Sequence, residues 1–114
     1  MINRSYSKYH NKKAQVGGKV FDSRREAKRF ADLSLMEKAG IIRELQTQVP
    51  FELIPTQRDE NGKLLEKAVM YYADFTYWKD GKLVVEDSKG FRTDVYKIKR
   101  KLMLKVHGIR ILET

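Results

Sequence analysis

The sequence predicts a single mixed α/β domain whose helices and strands follow the order α-β-β-β-α-β. Two segments have apolar residues at helical spacing, with capping residues before them and a glycine after them. Two further apolar segments are joined by Asp80-Gly81, which is a two-residue hairpin signal. A third segment, ahead of that hairpin, alternates apolar and polar residues with the period of two that is typical of a strand.

Length, charge and cysteine content restrict the classes of function. A chain of 114 residues is long enough for one domain with a modest core. Its 24 Lys and Arg residues outnumber 15 Asp and Glu residues, and the formal net charge of +9 favours a nucleic acid as partner. The absence of cysteine excludes disulfides and thiolate metal sites. Since no apolar run or signal peptide pattern is found, we expect a cytoplasmic protein without membrane partners.

Residues 1–19 are predicted to form a basic N-terminal arm ahead of a single domain at residues 20–114. The arm has no sustained period and ends at a Gly-Gly turn. It would lie on DNA phosphates, with a solvated terminus as the alternative. Its candidate phosphate contacts are Lys8, Lys12 and Lys13.

The first helix is predicted over residues 23–39. Ser23, followed three residues later by Glu26, is typical of a capping box at a helix N-terminus. Arg24 and Arg25 stand in the first turn, where a positive charge is unfavourable next to the helix dipole. A DNA backbone passing this end of the helix would explain both arginines, which are therefore candidate DNA contacts.

The first strand is predicted over residues 42–54. Its odd-numbered residues from Leu45 to Leu53 are mostly apolar and are expected to share one face. Pro50 lacks an amide donor, which indicates an edge strand or a bulge. Gln48 is a candidate for positioning a water or a phosphate, with a solvated glutamine as the alternative. The polar residues 55–67 are expected to form a hairpin connection.

The hairpin predicted over residues 68–78 and 82–89 brings two carboxylates together. A two-residue loop sets Lys79 opposite Lys82, Trp78 opposite Leu83, Thr76 opposite Val85, and Asp74 opposite Asp87. Opposed side chains have Cβ atoms roughly 4.5–5.5 Å apart, and like charges at that distance are destabilising. A hard divalent cation between the two carboxylates would remove the repulsion.

Lys89 follows Asp87 by two residues and therefore lies on the same face of the strand. Two carboxylates and an amine are thus expected to converge. The other face of the hairpin carries an apolar row of Val69, Tyr71, Ala73, Phe75 and Tyr77, with Glu86 opposite Phe75. A bulge that shifted the register by one residue would make Glu86 the partner of Asp74 instead.

The second helix is predicted over residues 93–107, with Thr93 as its cap and a glycine after it. Its expected buried stripe consists of Val95, Ile98, Leu102 and Val106. Another side carries a basic row that is a candidate DNA contact, with a solvated face as the alternative; this row is Lys97, Arg100, Lys101 and Lys105. A last short strand is predicted over residues 109–112.

The pattern of Ala73-Asp74, a spacer and then Asp87-Ser88-Lys89 resembles the active-site motif of PD-(D/E)XK nucleases. Further matching segments run along nearly the whole chain: KYHNKK, FDSRREAKRF, EKAGII, QVPFELIP and HGIRILE. Together they are similar to a phage-associated family of small proteins that is labelled as a domain of unknown function and assigned to that superfamily. Within it, the chain resembles phage endonuclease I-type junction resolvases. One departure is that Ala73 stands where the motif has proline.

The resemblance implies a restriction-endonuclease-like core, in which two helices flank a central mixed sheet. It implies a DNA endonuclease that uses Mg²⁺ or Mn²⁺ and acts on branched or double-stranded DNA in the host cytoplasm. Asp74, Asp87 and the backbone carbonyl of Ser88 would hold the metal, and Lys89 would orient the attacking water or neutralise the phosphate. Glu26 would complete the site, with a purely capping role as the alternative. Junction cutting requires two active sites and so implies a homodimer.

Two other classes of function stay open. One is a DNA-binding protein without catalysis, which would have the same basic surface. The other is a small phage assembly or regulatory protein, whose charge keeps it soluble.

Overall fold

The computed structural model describes residues 14–114, so Lys8, Lys12 and Lys13 lie outside the described residues. Within that range the helices are α1 (Arg24–Lys38) and α2 (Asp94–Leu102), and a π-helical turn (Met103–His107) continues α2. The strands are β1 (Ala14–Val16), β2 (Lys19–Phe21), β3 (Arg43–Ile54), β4 (Gln57–Arg58), β5 (Leu64–Glu66), β6 (Val69–Lys79), β7 (Lys82–Asp87) and β8 (Leu112–Glu113). No helix of the described range is long and apolar enough to cross a membrane.

The mixed α and β character is confirmed. Across residues 14–114, four strands form one mixed sheet in the order β3-β6-β7-β8. β6 is antiparallel to both of its neighbours, and β8 runs parallel to β7. The element order along the chain differs from the predicted one, because it also contains four short strands. They form two separate hairpins, β1-β2 and β4-β5, since Gly17-Gly18 and Asn61-Gly62 supply tight turns between residues able to pair.

The β1-β2 hairpin belongs to the folded body and packs on α1. Phe21 is buried, and its ring lies 5.0 Å from that of Phe30, measured between centroids. Val16 is partly buried in the same cluster. The predicted boundary between arm and domain, at residue 20, therefore falls inside this hairpin.

The predicted register of the β6-β7 hairpin is confirmed along its hydrogen-bonded length. Lys79 pairs with Lys82, Trp78 with Leu83, and Thr76 with Val85. The last pair is Phe75 with Glu86, so Asp74 and Asp87 occupy the next position along the two strands. Asp80 has a φ of 52° and Gly81 a φ of 77°, as a turn with left-handed backbone at both positions requires.

Two core clusters lie on opposite faces of the sheet. Adjacent residues of a strand point to opposite faces, and Val84 packs with the cluster under α1 while Val85 packs with the cluster under α2. The clusters share no residue of β6: Phe75 and Tyr77 belong to the α1 side, and Tyr71 and Ala73 to the α2 side.

The prediction that the odd-numbered residues of β3 and of β6 each share one face is therefore wrong. On β3, Leu45 packs on the α1 side, whereas Val49 and Phe51 pack on the α2 side. The change occurs at Gln48, whose φ is 52° and which lies between the Thr47–Phe75 and Val49–Ala73 pairs, opposite Asp74. A left-handed residue interrupts the period of two of a strand, which accounts for the exchange of faces.

The predicted buried stripe of α2 is wrong except for Leu102, which is partly buried against the core cluster under α2. Val95 and Ile98 are 62% and 57% exposed, and Val106 is exposed as well. Tyr96 and Met103 are the buried residues of this segment. Because aromatic and long side chains reach deeper into the core than valine, they determine which side of the helix faces the sheet.

Glu86 is fully buried on the α1 side, so the alternative register in which it would pair with Asp74 is excluded. Arg29 donates two hydrogen bonds to its carboxylate, at 2.6 and 2.9 Å. The hydroxyl groups of Tyr77 and Thr114 donate at 2.7 and 3.1 Å. This carboxylate is therefore fully paired, and it connects α1, β6, β7 and the C-terminal residue.

Replacing Arg29 tests this buried ion pair. Arg29→Ala leaves a buried carboxylate without its counter-charge, which costs about 3 kcal/mol of unfolding free energy, the low end of the range for such losses. In a domain of this size, the melting temperature should fall by about 4 °C or more per kcal/mol. Thermal melts followed by circular dichroism measure the change.

Arg25→Ala is the matched control, because Arg25 is an exposed arginine on the same helix. Its unfolding free energy should stay within about 0.5 kcal/mol of the parent's, so its melting temperature should hardly change. If Arg29→Ala melts together with Arg25→Ala, the ion pair does not contribute to stability.

Candidate active site

Four of the predicted site residues, Asp74, Asp87, Ser88 and Lys89, lie just beyond the last hydrogen-bonded pair of β6 and β7. Asp74, Asp87 and Ser88 are all buried there, and Lys89 follows at the edge. The backbone N–H of Ser88 donates to Asp74 Oδ2 at 2.8 Å, which joins the two strands just beyond the Phe75–Glu86 pair. The structure therefore brings together the acid, acid and lysine that the sequence predicts.

Gln48 connects the sheet to α1. Its side-chain amide donates to Asp74 Oδ1 at 3.4 Å and to Glu26 Oε2 at 3.3 Å. The left-handed backbone of Gln48 aims this side chain at Asp74, which lies opposite on β6. Gln48 is solvent-exposed, as the alternative of a solvated strand residue expects, but its side chain is also hydrogen-bonded to two of the predicted site residues.

Glu26 serves the helix and the site with different atoms. Its backbone N–H donates to the side-chain oxygen of Ser23 at 3.1 Å, so Ser23 caps α1 as predicted. The buried carboxylate of Glu26 accepts from Gln48 instead of completing the capping box. The side chain of Glu26 is therefore directed to the candidate site, and among the described residues the helix is capped by Ser23 alone.

Asp87 is fully buried, and its two oxygens have different surroundings. Oδ2 accepts a short hydrogen bond of 2.6 Å from the hydroxyl of Tyr71. Oδ1 receives no hydrogen bond from any described residue. Lys89 Nζ lies 3.4 Å from Oδ1 as an ion pair, without the geometry of a hydrogen bond. A buried carboxylate oxygen without a hydrogen bond is rare in folded proteins, and this oxygen has lone pairs with which it could accept a hydrogen bond or bind a cation.

The carboxylates raise one another's proton affinity. Burial, with Asp74 nearby, raises the pKa of Glu26 from 4.5 to about 7. Burial and the charge of Asp87 raise the pKa of Asp74, against the lowering effect of the hydrogen bond from Ser88. The site is therefore short of positive charge when it contains only the protein's own groups.

The oxygen donors suit a small hard cation. Among residues 14–114, no group of three or more His, Cys, Asp or Glu side chains is arranged to hold a metal ion. Mg²⁺ usually binds through only one or two carboxylates and keeps several waters, so Asp74 and Asp87 are sufficient protein ligands for it. The oxygens with capacity to bind a cation are Oδ1 of Asp87, which accepts no hydrogen bond from the described residues, and Oδ1 of Asp74, which accepts one long hydrogen bond from Gln48.

Two cavities flank the carboxylates. One has a volume of about 360 Å³ and is lined by Lys19, Glu26 and Gln48 together with residues of β2. The other has a volume of about 380 Å³ and is lined by Tyr71 and Lys89 together with residues of α2. A bound chain could therefore extend to both sides of the carboxylates.

The predicted DNA-contacting residues of the described range differ in their availability. Arg24, Arg25, Lys97, Lys101 and Lys105 are exposed. Arg100 instead donates to Glu113 Oε2 at 3.1 Å, and Tyr96 donates to the same oxygen at 2.7 Å. Burial alone would raise the pKa of Glu113, but these hydrogen bonds outweigh it and lower the pKa. Arg100 therefore stabilises the fold and is less available to phosphates than the lysines.

Tyr71 is the site residue that sequence reasoning missed. Its burial and its hydrogen bond to Asp87 raise the pKa of the Tyr71 hydroxyl, which keeps it a donor. In the sequence it appears as one aromatic residue of an apolar strand, and the expected alternation places it on the face away from Asp87. The exchange of faces at Gln48 and Asp74 is what brings it to Asp87, and no sequence signal marks that exchange.

Comparison with known proteins identifies one family. The family described as "Protein of unknown function (DUF1064)" matches residues 6–111. No curated protein and no solved structure matches the chain.

Glu26 should make the stability of the metal-free protein depend on pH. Because its pKa is higher in the folded state, this group favours folding fully below about pH 4.5, and the contribution is lost as pH rises through about 7. Glu26→Gln removes the titrating group. Thermal melts in EDTA at pH 5 and pH 8 should show a smaller fall in melting temperature for Glu26→Gln than for the parent.

Glu66→Gln is the control for this measurement, because Glu66 is an exposed glutamate on β5. It should keep the pH dependence of the parent. A Glu26→Gln variant with the parent's full pH dependence would show that Glu26 does not titrate in this window.

Proposed function

This chain belongs to the DUF1064 family, and we propose that it is a metal-dependent DNA endonuclease with a restriction-endonuclease-like core. The observation that carries the proposal is the buried Oδ1 of Asp87, to which no described residue donates a hydrogen bond. It lies next to a lysine and one strand away from a second buried acid. A mixed central sheet with one helix against each face also supports this proposal.

The residues present fit a resident Mg²⁺ or Mn²⁺. Asp74, Asp87 and the backbone carbonyl of Ser88 would hold it, with Glu26 contributing through a water or directly. When bound, such an ion supplies a water of lowered pKa and stabilises negative charge on a phosphate. Oxygen donors of this kind favour Mg²⁺ or Mn²⁺ over zinc.

The chain's own groups have separate roles in this proposal. Tyr71 holds Asp87 Oδ2 by its hydrogen bond, which leaves Oδ1 directed to the cation. Gln48 keeps Glu26 and Asp74 together through its two donated hydrogen bonds. Lys89 supplies a positive charge next to Asp87, where it would neutralise a phosphate oxygen or orient the attacking water.

DNA is the proposed substrate because of charge and position. The net charge of +9 is large for a domain of 114 residues. Exposed cations lie at the first turn of α1, next to Glu26, and along α2, which follows Lys89 in the chain. These would contact phosphates on both sides of the carboxylates, and we propose branched or otherwise irregular DNA as the preferred substrate.

A second candidate is a DNA-binding protein without catalysis. It is favoured by the lack, within the described range, of three acidic or histidine side chains arranged around one point. In that case the carboxylates would be a polar cluster and the protein would bind DNA equally well with or without a divalent cation.

Cleavage assays separate the two candidates. Supercoiled plasmid, linear duplex and a four-way junction would be incubated with the protein in Mg²⁺, Mn²⁺ or EDTA. We expect cleavage only with the metals. Asp74→Asn, Asp87→Asn and Lys89→Ala should each lower the rate by more than the roughly 10- to 100-fold that loss of an outer-shell partner costs, while DNA binding is retained.

Glu86→Gln provides the matched comparison, because Glu86 is the buried acid directly before Asp87 and lies on the opposite face. Assayed well below its melting temperature, it should cleave at a rate close to the parent's. Full cleavage by Asp74→Asn, or no cleavage of any DNA by the parent, would contradict the proposed activity.

A further inference from the structure

The cavity of about 380 Å³ next to Lys89 has a lining unlike the rest of the candidate active site. Tyr71 and Tyr96 are buried, and Tyr72 and Phe91 are 54% and 79% exposed. Lys89 and Lys99 supply two positive charges. We call this cavity, defined by these six residues, the aromatic pocket.

The aromatic pocket adjoins the carboxylates directly. Tyr71 donates its hydroxyl to Asp87, and Lys89 forms an ion pair with the same residue. A ligand in the pocket would therefore lie beside any phosphate held at Asp87. The proposed cleavage site and the pocket are close enough for one nucleotide chain to occupy both.

Hydrogen bonds of their hydroxyl groups hold the two buried rings in position. The Tyr71 hydroxyl is bound to Asp87, and the Tyr96 hydroxyl donates to Glu113 at 2.7 Å. The ammonium group of Lys89 lies 5.6 Å from the centre of the Tyr96 ring, a cation–π contact. The exposed rings of Tyr72 and Phe91 leave large aromatic surfaces in contact with solvent at the mouth of this fixed base.

Exposed aromatic rings beside lysines match one class of ligand particularly well. A nucleobase stacks on an aromatic side chain, and its phosphate pairs with an ammonium group. Lys99 forms no ion pair with any residue in the range 14–114, so its charge is available. A base inside a duplex has both faces covered by its neighbours, whereas an unpaired base has a free face.

A second copy of this chain is a poorer occupant. In a twofold dimer the same patch meets itself, so Lys89 and Lys99 would approach their own copies. The chain already has a net charge of +9, and although Asp87 pairs with Lys89, no acidic residue of the described range lines the pocket to offset Lys99. Charge therefore favours an anionic ligand over self-association.

We propose that the aromatic pocket binds an unpaired nucleotide adjacent to the cleaved phosphate, so that the protein selects DNA with a single-stranded end, flap or branch. This inference rests on the proposed nuclease function, whose substrate class it narrows. Tyr72 and Phe91 are the stacking residues, and Lys99 is the phosphate contact. Stacking on an aromatic ring is available to every base, so the expected preference is for unpaired structure and not for sequence.

The test measures binding in EDTA, so that it does not depend on cleavage. The probes are a duplex and the same duplex with a three-nucleotide single-stranded flap that carries one 2-aminopurine. Each stacked ring should contribute about tenfold to affinity for the flap. The parent should therefore prefer the flap by tenfold or more, and the 2-aminopurine fluorescence should be quenched on binding.

The double variant Tyr72→Ala, Phe91→Ala should bind flap and duplex equally, with duplex affinity changed less than about twofold. Both side chains are exposed, so the fold should tolerate their removal, and a melt confirms it. Trp78→Ala is the matched control, because Trp78 is a partly exposed aromatic residue of β6 that does not line the pocket. It should keep the flap preference and the fluorescence quenching.

The outcomes separate this inference from the proposed function. A flap preference that the double variant loses supports the inference whether or not metal produces cleavage. Metal-dependent cleavage without a flap preference in the parent overturns the inference and leaves the nuclease proposal standing. A preference that survives in the double variant overturns it too. The inference is also overturned if light scattering shows that the parent is a dimer and the double variant a monomer, while the DNA preference is unchanged. The face would then be a self-association surface.

Discussion

The contact between Gln48 and Asp74 is the constraint on which the rest of the site depends. Gln48 has left-handed backbone inside a long strand, and Asp74 lies opposite to it on β6. At this one position both strands exchange the faces that they present to α1 and α2. A left-handed conformation is unfavourable for a residue other than glycine, Asn or Asp, and Glu44 of the same strand also has one, with a φ of 56°. At Gln48 this conformation coincides with hydrogen bonds to Asp74 and Glu26. The exchange places Asp74 beside Glu26 and also brings Tyr71 to Asp87.

Two adjacent buried acids on β7, Glu86 and Asp87, show how a carboxylate group can have different roles. Glu86 accepts hydrogen bonds from Arg29, Tyr77 and Thr114, so its burial is fully compensated. Asp87 has one hydrogen bond from Tyr71 and one oxygen without any from the described residues. Its counter-charge is the ammonium group of Lys89, 3.4 Å from Oδ1 and without the geometry of a hydrogen bond, so the burial of Asp87 is less fully compensated than that of Glu86. Glu86 by contrast joins helix and sheet. Its replacement is therefore expected to lower folding stability more than the rate of cleavage.

Features of the fold that depend on local interactions could be predicted from the sequence. Asp80-Gly81 determined the register of the β6-β7 hairpin, and Ser23 and Thr93 cap the two helices as predicted. Features that depend on tertiary contacts could not be predicted from the sequence. The exchange of faces occurs at a glutamine, which carries no signal of left-handed backbone, so the surroundings of Tyr71 could not be foreseen. The apolar residues of α2 were assigned to the core by their spacing, although Val95 and Ile98 are exposed and Tyr96 and Met103 are buried. The spacing of apolar residues predicts an amphipathic face, but it does not determine whether that face packs on the core or binds a ligand.

The proposed cation site at Asp74 and Asp87 is tested most directly without DNA. Thermal melts of the parent and of Asp87→Asn would be recorded in EDTA and in increasing concentrations of Mn²⁺. A cation that binds only the folded state adds about 1.4 kcal/mol at ten times its dissociation constant, equivalent to a rise of roughly 4–8 °C per kcal/mol in the melting temperature. The account predicts that the parent's melting temperature rises with Mn²⁺ and that Asp87→Asn does not respond. A parent whose melting temperature is the same in EDTA and in Mn²⁺, or an equal rise in both proteins, would contradict it.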